Sequence, residues 1–492
     1  MQVLSDPYSI VRTRILDLFI LKKNHVNMLV TPKLIILLLS VLTALDVHEE
    51  RPDKLLLDDP PNFIVIFADD MGYGDLGVYG HPTIRTPHLD RMAAEGVRFT
   101  QFYTGSSVCT PSRAALLTGR LPVRNGMTHD QYRVLFPPSK GGLPGSEITI
   151  PEALKDIGYV TSAIGKWHLG HVPGHYPTDH GFDQFFGIPY SNDMTPSASD
   201  WEIVQTYPPL PLVRDTEIIE TDPDQRLLTR RYTEESVTFI RDHRDRPFFL
   251  YLPHTMPHVP LFASDEFEGT SPRGLYGDVI EEIDWSVGQI LDVLRETGLD
   301  QKTLVIFTSD NGPWLTEGLE GGTAGLLRDG KGTTWEGGMR VPAIAWWPGT
   351  IPAGLTSQSL ATTMDLMPTI VQLAGAEIPQ DRILDGVDLM PVFLDPAASV
   401  REEVYFYRGT NLWAVRKGPW KLHYMTQSAY VGDEPIVHDP PILFHLERDP
   451  EERFNVATEE EEVISEIQAV VDQHLANLNR APSQLDVPEW ND

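Results

Sequence analysis

Cysteine is almost missing from this sequence: among 492 residues only Cys109 carries a thiol. No intramolecular disulfide can form, so the fold must be held by its core. Positive charge is scarce too. Lys and Arg number 39 against 70 Asp and Glu, a formal net charge of −31. An acidic surface repels nucleic acid and anionic membranes, which excludes both as expected partners. A comfortable membrane span is also lacking, since it takes about 20 apolar residues. The apolar run Leu34–Leu45, preceded by Lys33, is shorter and reads as the core of an export signal within 29–47. An uncleaved anchor is the alternative, Met28 is an alternative start, and no cysteine follows the run to carry a lipid. Residues 1–57 are therefore set apart from the fold.

What is present is a large apolar fraction, 41%, enough for a sizeable core and two structural units. "NFIVIFADD" and "TLVIFTSDNG" each hold a continuous apolar run, at 63–68 in the first, as strands buried on both faces of a parallel sheet should. Between them helical and extended patterns alternate; Val279, Ile283, Val287, Ile290 and Val293, for example, recur at helical spacing. This predicts an α/β domain over 58–375 with a large, mostly parallel sheet. Beyond it, residues 376–492 read as a smaller α+β unit. Its strands turn at Lys417-Gly418-Pro419. Its helix has a capping box of Thr458 with Glu461 and a stripe of Val463, Ile467, Val470/Val471 and Leu475. The proline-rich segment 188–224 reads as an irregular surface loop beside a cleft.

Both buried strands end in acid: Asp69-Asp70 after the first, Asp310-Asn311 after the second. Ligands of open parallel sheets bind at the carboxyl ends of strands. If the two strands are neighbours, three carboxylates and an amide meet, and a hard cation such as Ca²⁺ or Mg²⁺ would balance them. The plain alternative is that these aspartates cap the following turns. "SSVCTPSRAALLTGR" (106–120) reads as a helix start, where free amides and Arg113 suit an anion. A buried, inert Cys109 is the alternative there. His168, His171, His175 and His180 do not fit the spacing of a zinc site; the last three read as loop residues. Trp346 and Trp347 read as core.

"CTPSRAALLTGR" is similar to the signature of the type I sulfatases, C-x-P-S-R followed by L-T-G-R. "GKWHLG", "GIPYSND", "PHVPLF", "SDNGP" and "GLLRDGKGTTWEGGMRVPAIAWWPG" resemble further sulfatase segments in the same order, so the likeness runs from Asn62 nearly to the end. It is greatest to the branch of arylsulfatase A and N-acetylgalactosamine-6-sulfatase. The resemblance implies an alkaline-phosphatase-like layered α/β fold. It further implies hydrolysis of a sulfate monoester, on a sulfated carbohydrate or aryl sulfate, after a maturation enzyme converts Cys109 to Cα-formylglycine. Asp69, Asp70, Asp310 and Asn311 would hold calcium (magnesium less well), with the modified position 109 beside them. Arg113 and Lys166 would stabilise the formylglycine hydrate and sulfate oxygens. His168 would take a proton from the hydrate. His258 and Lys331 would contact the sulfate and help protonate the leaving oxygen, and Ser191 would hydrogen-bond the sulfate.

The chain departs from lysosomal relatives in lacking their disulfides; Asp329 stands where such relatives have cysteine. That implies a bacterial origin with export to the periplasm or beyond. Two rivals remain at this level. One is a phosphodiesterase or phosphonate hydrolase of the same superfamily, against which Asn311 counts, since two-zinc enzymes want a histidine there. The other is an unmatured protein that binds sulfated glycans. Neither oligomeric state nor substrate is legible in the residues.

Overall fold

Strand β1 (Asn62–Ala68) is buried at all seven positions, and its side chains divide between the two faces of one sheet. Ile64, Ile66 and Ala68 enter one apolar cluster, while Phe63, Val65 and Phe67 enter another. A strand that packs on both sides cannot alternate apolar with polar residues, which explains its continuous run. The computed structural model describes residues 60–428 and 434–485. The signal-like segment 29–47 and the last residues of the chain lie outside them. Among the described residues no helix is long and apolar enough to cross a membrane.

The sheet has eleven strands. Beyond β1 it takes in β2 (Val97–Tyr103), β3 (Val160–Lys166), β4 (Gln184–Ile188), β5 (Pro211–Arg214), β6 (Glu217–Thr221), β7 (Phe248–Pro253), β8 (Thr303–Ser309), β9 (Arg340–Trp346), β10 (Leu355–Ser357) and β11 (Ala361–Thr362). Their order is β10-β2-β9-β8-β1-β7-β3-β4-β5-β6, with β11 beside β2. The centre, β8-β1-β7-β3-β4, is parallel. Strands β9, β5 and β6 pair antiparallel with their neighbours. The architecture is the mixed, mostly parallel α/β layer expected.

Helices Leu228–Asp242 and Leu275–Thr297 cover one face, contributing Tyr232, Phe239, Ile283 and Ile290 to its cluster. Helices Cys109–Thr118 and Leu366–Leu373 cover the other with Leu116, Leu117, Met367 and Ile370. Trp346 and Trp347 are core residues, as expected, at 0% and 1% exposure.

A separate antiparallel sheet follows, formed by β12 (Glu403–Arg408), β13 (Asn411–Lys417), β14 (Trp420–Thr426) and β15 (Ile436–His445). The β13–β14 turn falls at Gly418, with φ 54°, between the paired Lys417 and Trp420, where the sequence placed it. The final helix, Glu461–Ala476, carries no side-chain cap, so the Thr458–Glu461 box does not form. Its buried residues are Ile467, Val471 and His474. Leu475, expected on the stripe, is 42% exposed; His474 takes the inward place, stacked on Tyr405 and hydrogen-bonded to Tyr407 at 2.8 Å.

The segment 188–224 is not wholly irregular. Its end forms the β5–β6 hairpin, turning at Asp215 with φ 57°. Prolines hid this edge pair, because an edge strand tolerates them where a central one does not.

Candidate active site

The parallel register decides where the strand-end acids meet. Ala68 pairs with Ser309, so Asp69 and Asp310 leave their strands side by side. The ladder continues past both ends: Asp310 N donates to Ala68 O at 3.1 Å and Asp69 N to Met256 O at 3.2 Å. The extension of β7 thereby carries His258 to the same edge. On the far side β3 ends in Lys166, and His168 N donates to Pro189 O at 3.1 Å, aligning it with the segment that bears Ser191.

Cys109 opens its helix from the other direction. Val108 precedes it in extended conformation, and Gly119 ends the helix at φ 66° with its N–H on Ala115 O. Only glycine adopts that left-handed cap without a Cβ penalty, which fixes the helix length. Cys109 is 2% exposed, and its Sγ lies 3.5 Å from Asp69 Oδ1.

Around this point the charges alternate. Lys166 Nζ is 2.5 Å from Asp69 Oδ2 and 3.1 Å from Ser191 Oγ. Lys331 Nζ lies 2.7 Å from Asp70 Oδ2. Arg113 spends its donors on Asp310 Oδ2 (2.8 and 3.2 Å) and the Lys166 carbonyl (2.7 Å), with Asp69 Oδ1 at 3.5 Å. Asp70 has φ 67°, and its N–H donates to Asp310 Oδ1 at 3.0 Å. Asn311 Nδ2 donates to Asp70 Oδ1 at 2.7 Å. His258 Nε2 lies 3.4 Å from Ser191 Oγ and 3.6 Å from Asp70 Oδ2. All eleven site residues named from the sequence, from Asp69 to Lys331, thus stand in or beside one buried cluster.

Burial works against ionised Asp69, yet Lys166 and Arg113 hold its carboxyl well below the usual range. Asp70 and Asp310 go the other way. Burial raises both against the pull of Lys331 and Arg113 respectively, and Asp310, with Asp69 also raising it, reaches about 7. Burial pushes the Cys109 thiol far up, so it is no ready thiolate. Burial and the neighbouring cations keep His168 and His258 neutral.

The neutral tautomers follow from their partners. A carbonyl only accepts, so His168 Nε2, 2.9 Å from Leu135 O, carries the proton. Its buried Nδ1 has no partner and is left as an acceptor. His258 likewise gives Nδ1–H to Val259 O and turns Nε2 toward Ser191.

The residues fit a hard divalent ion. Ligand atoms of Asp69, Asp70, Cys109 and His258 lie within 4.8 Å of one another, and the buried Asn311 Oδ1 has no hydrogen-bond partner. Asp310 adjoins this group through Asp70 N and Arg113. Three carboxylates face three cations here, Arg113, Lys166 and Lys331. A doubly charged ion would leave the pocket net positive and free both lysines for an anion.

Sequence reasoning missed Trp314. Its ring lies 4.3 Å under Lys331 Nζ and 5.5 Å from the His258 ring; its place directly after "SDNGP" was the available signal. The remaining histidines serve structure: His171 and His175 bond to Pro137 O and Leu143 O, and His180 packs against Trp167.

The family model described as Sulfatase matches residues 61–376, and the C-terminal region of aryl-sulfatase matches 399–491. N-acetylgalactosamine-6-sulfatase of Homo sapiens is 43% identical over 88% of this chain and 88% of its own. Arylsulfatase A of Homo sapiens is 43% identical over 87% of this chain and 90% of its own. Among solved structures, the PsFucS1 sulfatase from Pseudoalteromonas sp. superposes with a TM-score of 0.79 at 30% identity, covering 92% of this chain and 96% of that one.

Proposed function

The chain belongs to the sulfatase family and is a sulfuric ester hydrolase; we propose that it acts on a sulfated carbohydrate or aryl sulfate through a formylglycine made from Cys109 and a bound calcium ion. The observation that carries this reading is the convergence of Cys109, Asp69, Lys166 and Arg113 in one buried cluster. We assign the chemistry to residues 58–375 and a supporting role to 376–492. Export, read from residues 29–47, and dependence on a maturation enzyme belong to the same proposal.

Asp69, Asp70, Asp310 and Asn311 would hold the calcium ion, which supplies fixed positive charge beside the ester. The modified position 109 supplies an aldehyde hydrate, with one hydroxyl for attack on sulfur and a second to expel sulfate afterwards. A thiol that stays a thiol has no second hydroxyl.

The chain's own residues do the rest. Lys166 and Ser191, 3.1 Å apart, grip sulfate oxygens. Lys331 is pinned from two sides, since its N–H donates to Pro313 O at 2.9 Å and Gly332 N to Ser107 O at 2.8 Å. That holds its ammonium where charge grows on the leaving oxygen. His168 Nδ1 is an unprotonated acceptor and takes the proton of the retained hydroxyl. His258 Nε2 faces the same space. An arriving anion raises its proton affinity against the lysines that lower it, and so readies it to protonate the leaving group. The same positive pocket explains how a protein of net charge −31 binds an anion: local charge outweighs the distant surface, which solvent screens.

Mass spectrometry of the tryptic peptide Phe99–Arg113, after co-expression with a formylglycine-generating enzyme, tests the nucleophile. Conversion lowers the mass by about 18 Da and should appear together with sulfate release from 4-methylumbelliferyl sulfate. An unmodified thiol together with full turnover would overturn the reading.

A further inference from the structure

Asp193 brings a carboxylate to the sulfate pocket without a part in the reaction above. It stands two residues after Ser191, whose Oγ lies 3.1 Å from Lys166 Nζ and 3.4 Å from His258 Nε2. A tight turn, closed by Met194 N on Ser191 O at 3.2 Å, keeps it there. The residue between them is anchored away from the pocket: Asn192 Nδ2 donates to Gln225 Oε1 and Pro260 O, both at 3.1 Å. Asp193 is not anchored in this way. Burial raises its carboxyl, while the Ser191 hydroxyl, by a hydrogen bond, and the charges of Lys166 and Lys331 lower it, which sets it beside the sulfate-binding groups; its sheltered Oδ1 has no hydrogen-bond partner.

A carboxylate beside the groups that receive sulfate opposes anion binding, and an acceptor left without a donor costs more. Both costs are offset if the bound substrate brings a hydrogen-bond donor. Sulfate has none at neutral pH, and neither does a simple aryl ring. A sugar does, on the carbons next to the sulfated one.

We propose that Asp193 accepts a hydrogen bond from a substrate hydroxyl beside the sulfate ester, which selects a sulfated sugar with a free neighbouring hydroxyl over an aryl sulfate or a doubly sulfated sugar. This rests on Lys166, Ser191 and Lys331 forming the sulfate pocket. A binding site built around a hydroxyl discriminates strongly against ligands that lack it, because its own polar group is then left unpaired.

Calorimetric binding to the calcium-supplemented protein with unmodified Cys109 tests the proposal without turnover. The ligands are a hexose 3-sulfate, which carries hydroxyls on both neighbouring carbons, 4-methylumbelliferyl sulfate and inorganic sulfate, titrated into wild type and Asp193→Leu, which keeps neither the charge nor the acceptor. The variant should bind the hexose sulfate about 10- to 100-fold more weakly, and the other two at least as tightly as wild type does. Equal losses for all three ligands, or no loss for the sugar, would overturn the role of Asp193. If wild type binds neither inorganic sulfate nor either ester, the pocket assignment itself falls, and this inference with it. Wild type that binds sulfate but prefers the aryl ester to the hexose sulfate leaves the pocket standing and removes Asp193 alone.

Discussion

Arg113 grips Asp310 with two hydrogen bonds to one oxygen, from Nη2 at 2.8 Å and Nε at 3.2 Å, and neither side chain is exposed. The guanidinium is thereby committed to the strand end, with its Nη1 on the Lys166 carbonyl. Removing it leaves a buried carboxylate without its partner. Arg113→Met should cost about 3–5 kcal/mol of stability, read by urea denaturation. A loss under about 1 kcal/mol would show that the pair does not hold the site together.

Calcium should stabilise the native protein by mass action. At a concentration about 100 times its dissociation constant the gain is about 2.7 kcal/mol, visible as a rise in Tm that a chelator reverses. Asp310→Ala should abolish both the rise and the bound calcium. Undiminished calcium in that purified variant would remove Asp310 from the ligand set.

Cys109→Ala should lower sulfate release to background while the protein still unfolds cooperatively. Cys109→Ser should do the same after expression with a maturation enzyme specific for cysteine, because a hydroxyl cannot be converted and a single hydroxyl cannot expel sulfate. Near-normal turnover of an aryl sulfate by either variant would end the nucleophile assignment.

A buried ion network ties the second sheet to the first. Glu336 accepts from Lys421 Nζ at 2.9 Å and from Tyr103 Oη at 2.6 Å, and its N–H donates to Glu452 at 2.7 Å. Burial would raise the Glu336 carboxyl, but Lys421, Arg416 and Arg340 hold it down at about 2. A carboxyl lower in the folded than in the unfolded chain, about 4.3, stabilises above the unfolded value and loses that contribution as pH falls toward 2. The stability gap between wild type and Glu336→Gln should therefore be constant from pH 8 to 6 and shrink between pH 5 and 3. A gap that widens on acidification would contradict the sign.

Much of this protein was legible in order of residues alone. The continuous apolar runs at 63–68 and 304–307 pointed to strands buried on both faces, because they are short, rich in β-branched and aromatic residues and followed closely by Asp and Gly turn signals. "SRAALLTGR" specified a helix ending at Gly119, because a left-handed cap favours glycine. The paired acids after β1 and β8, and the likeness around Cys109, specified the kind of chemistry. Local pattern misled where long-range packing overrode it. Leu475 lost its inward place to His474, which found Tyr405 and Tyr407 as partners, and the prolines near β5 concealed an edge pair.

The choice of partners was left to the tertiary structure. Sequence named Asp69 and Asp310, 241 positions apart, but only the parallel register of Ala68 against Ser309 put them side by side. Likewise Asn192 is held by Gln225 and Pro260, which arrive from other elements, while its neighbour Asp193 in the same loop keeps an oxygen without a partner. Propensity and periodicity act over a few residues and so fix elements. Distances across a sheet edge depend on how those elements pack, and that is settled only once the whole core has closed.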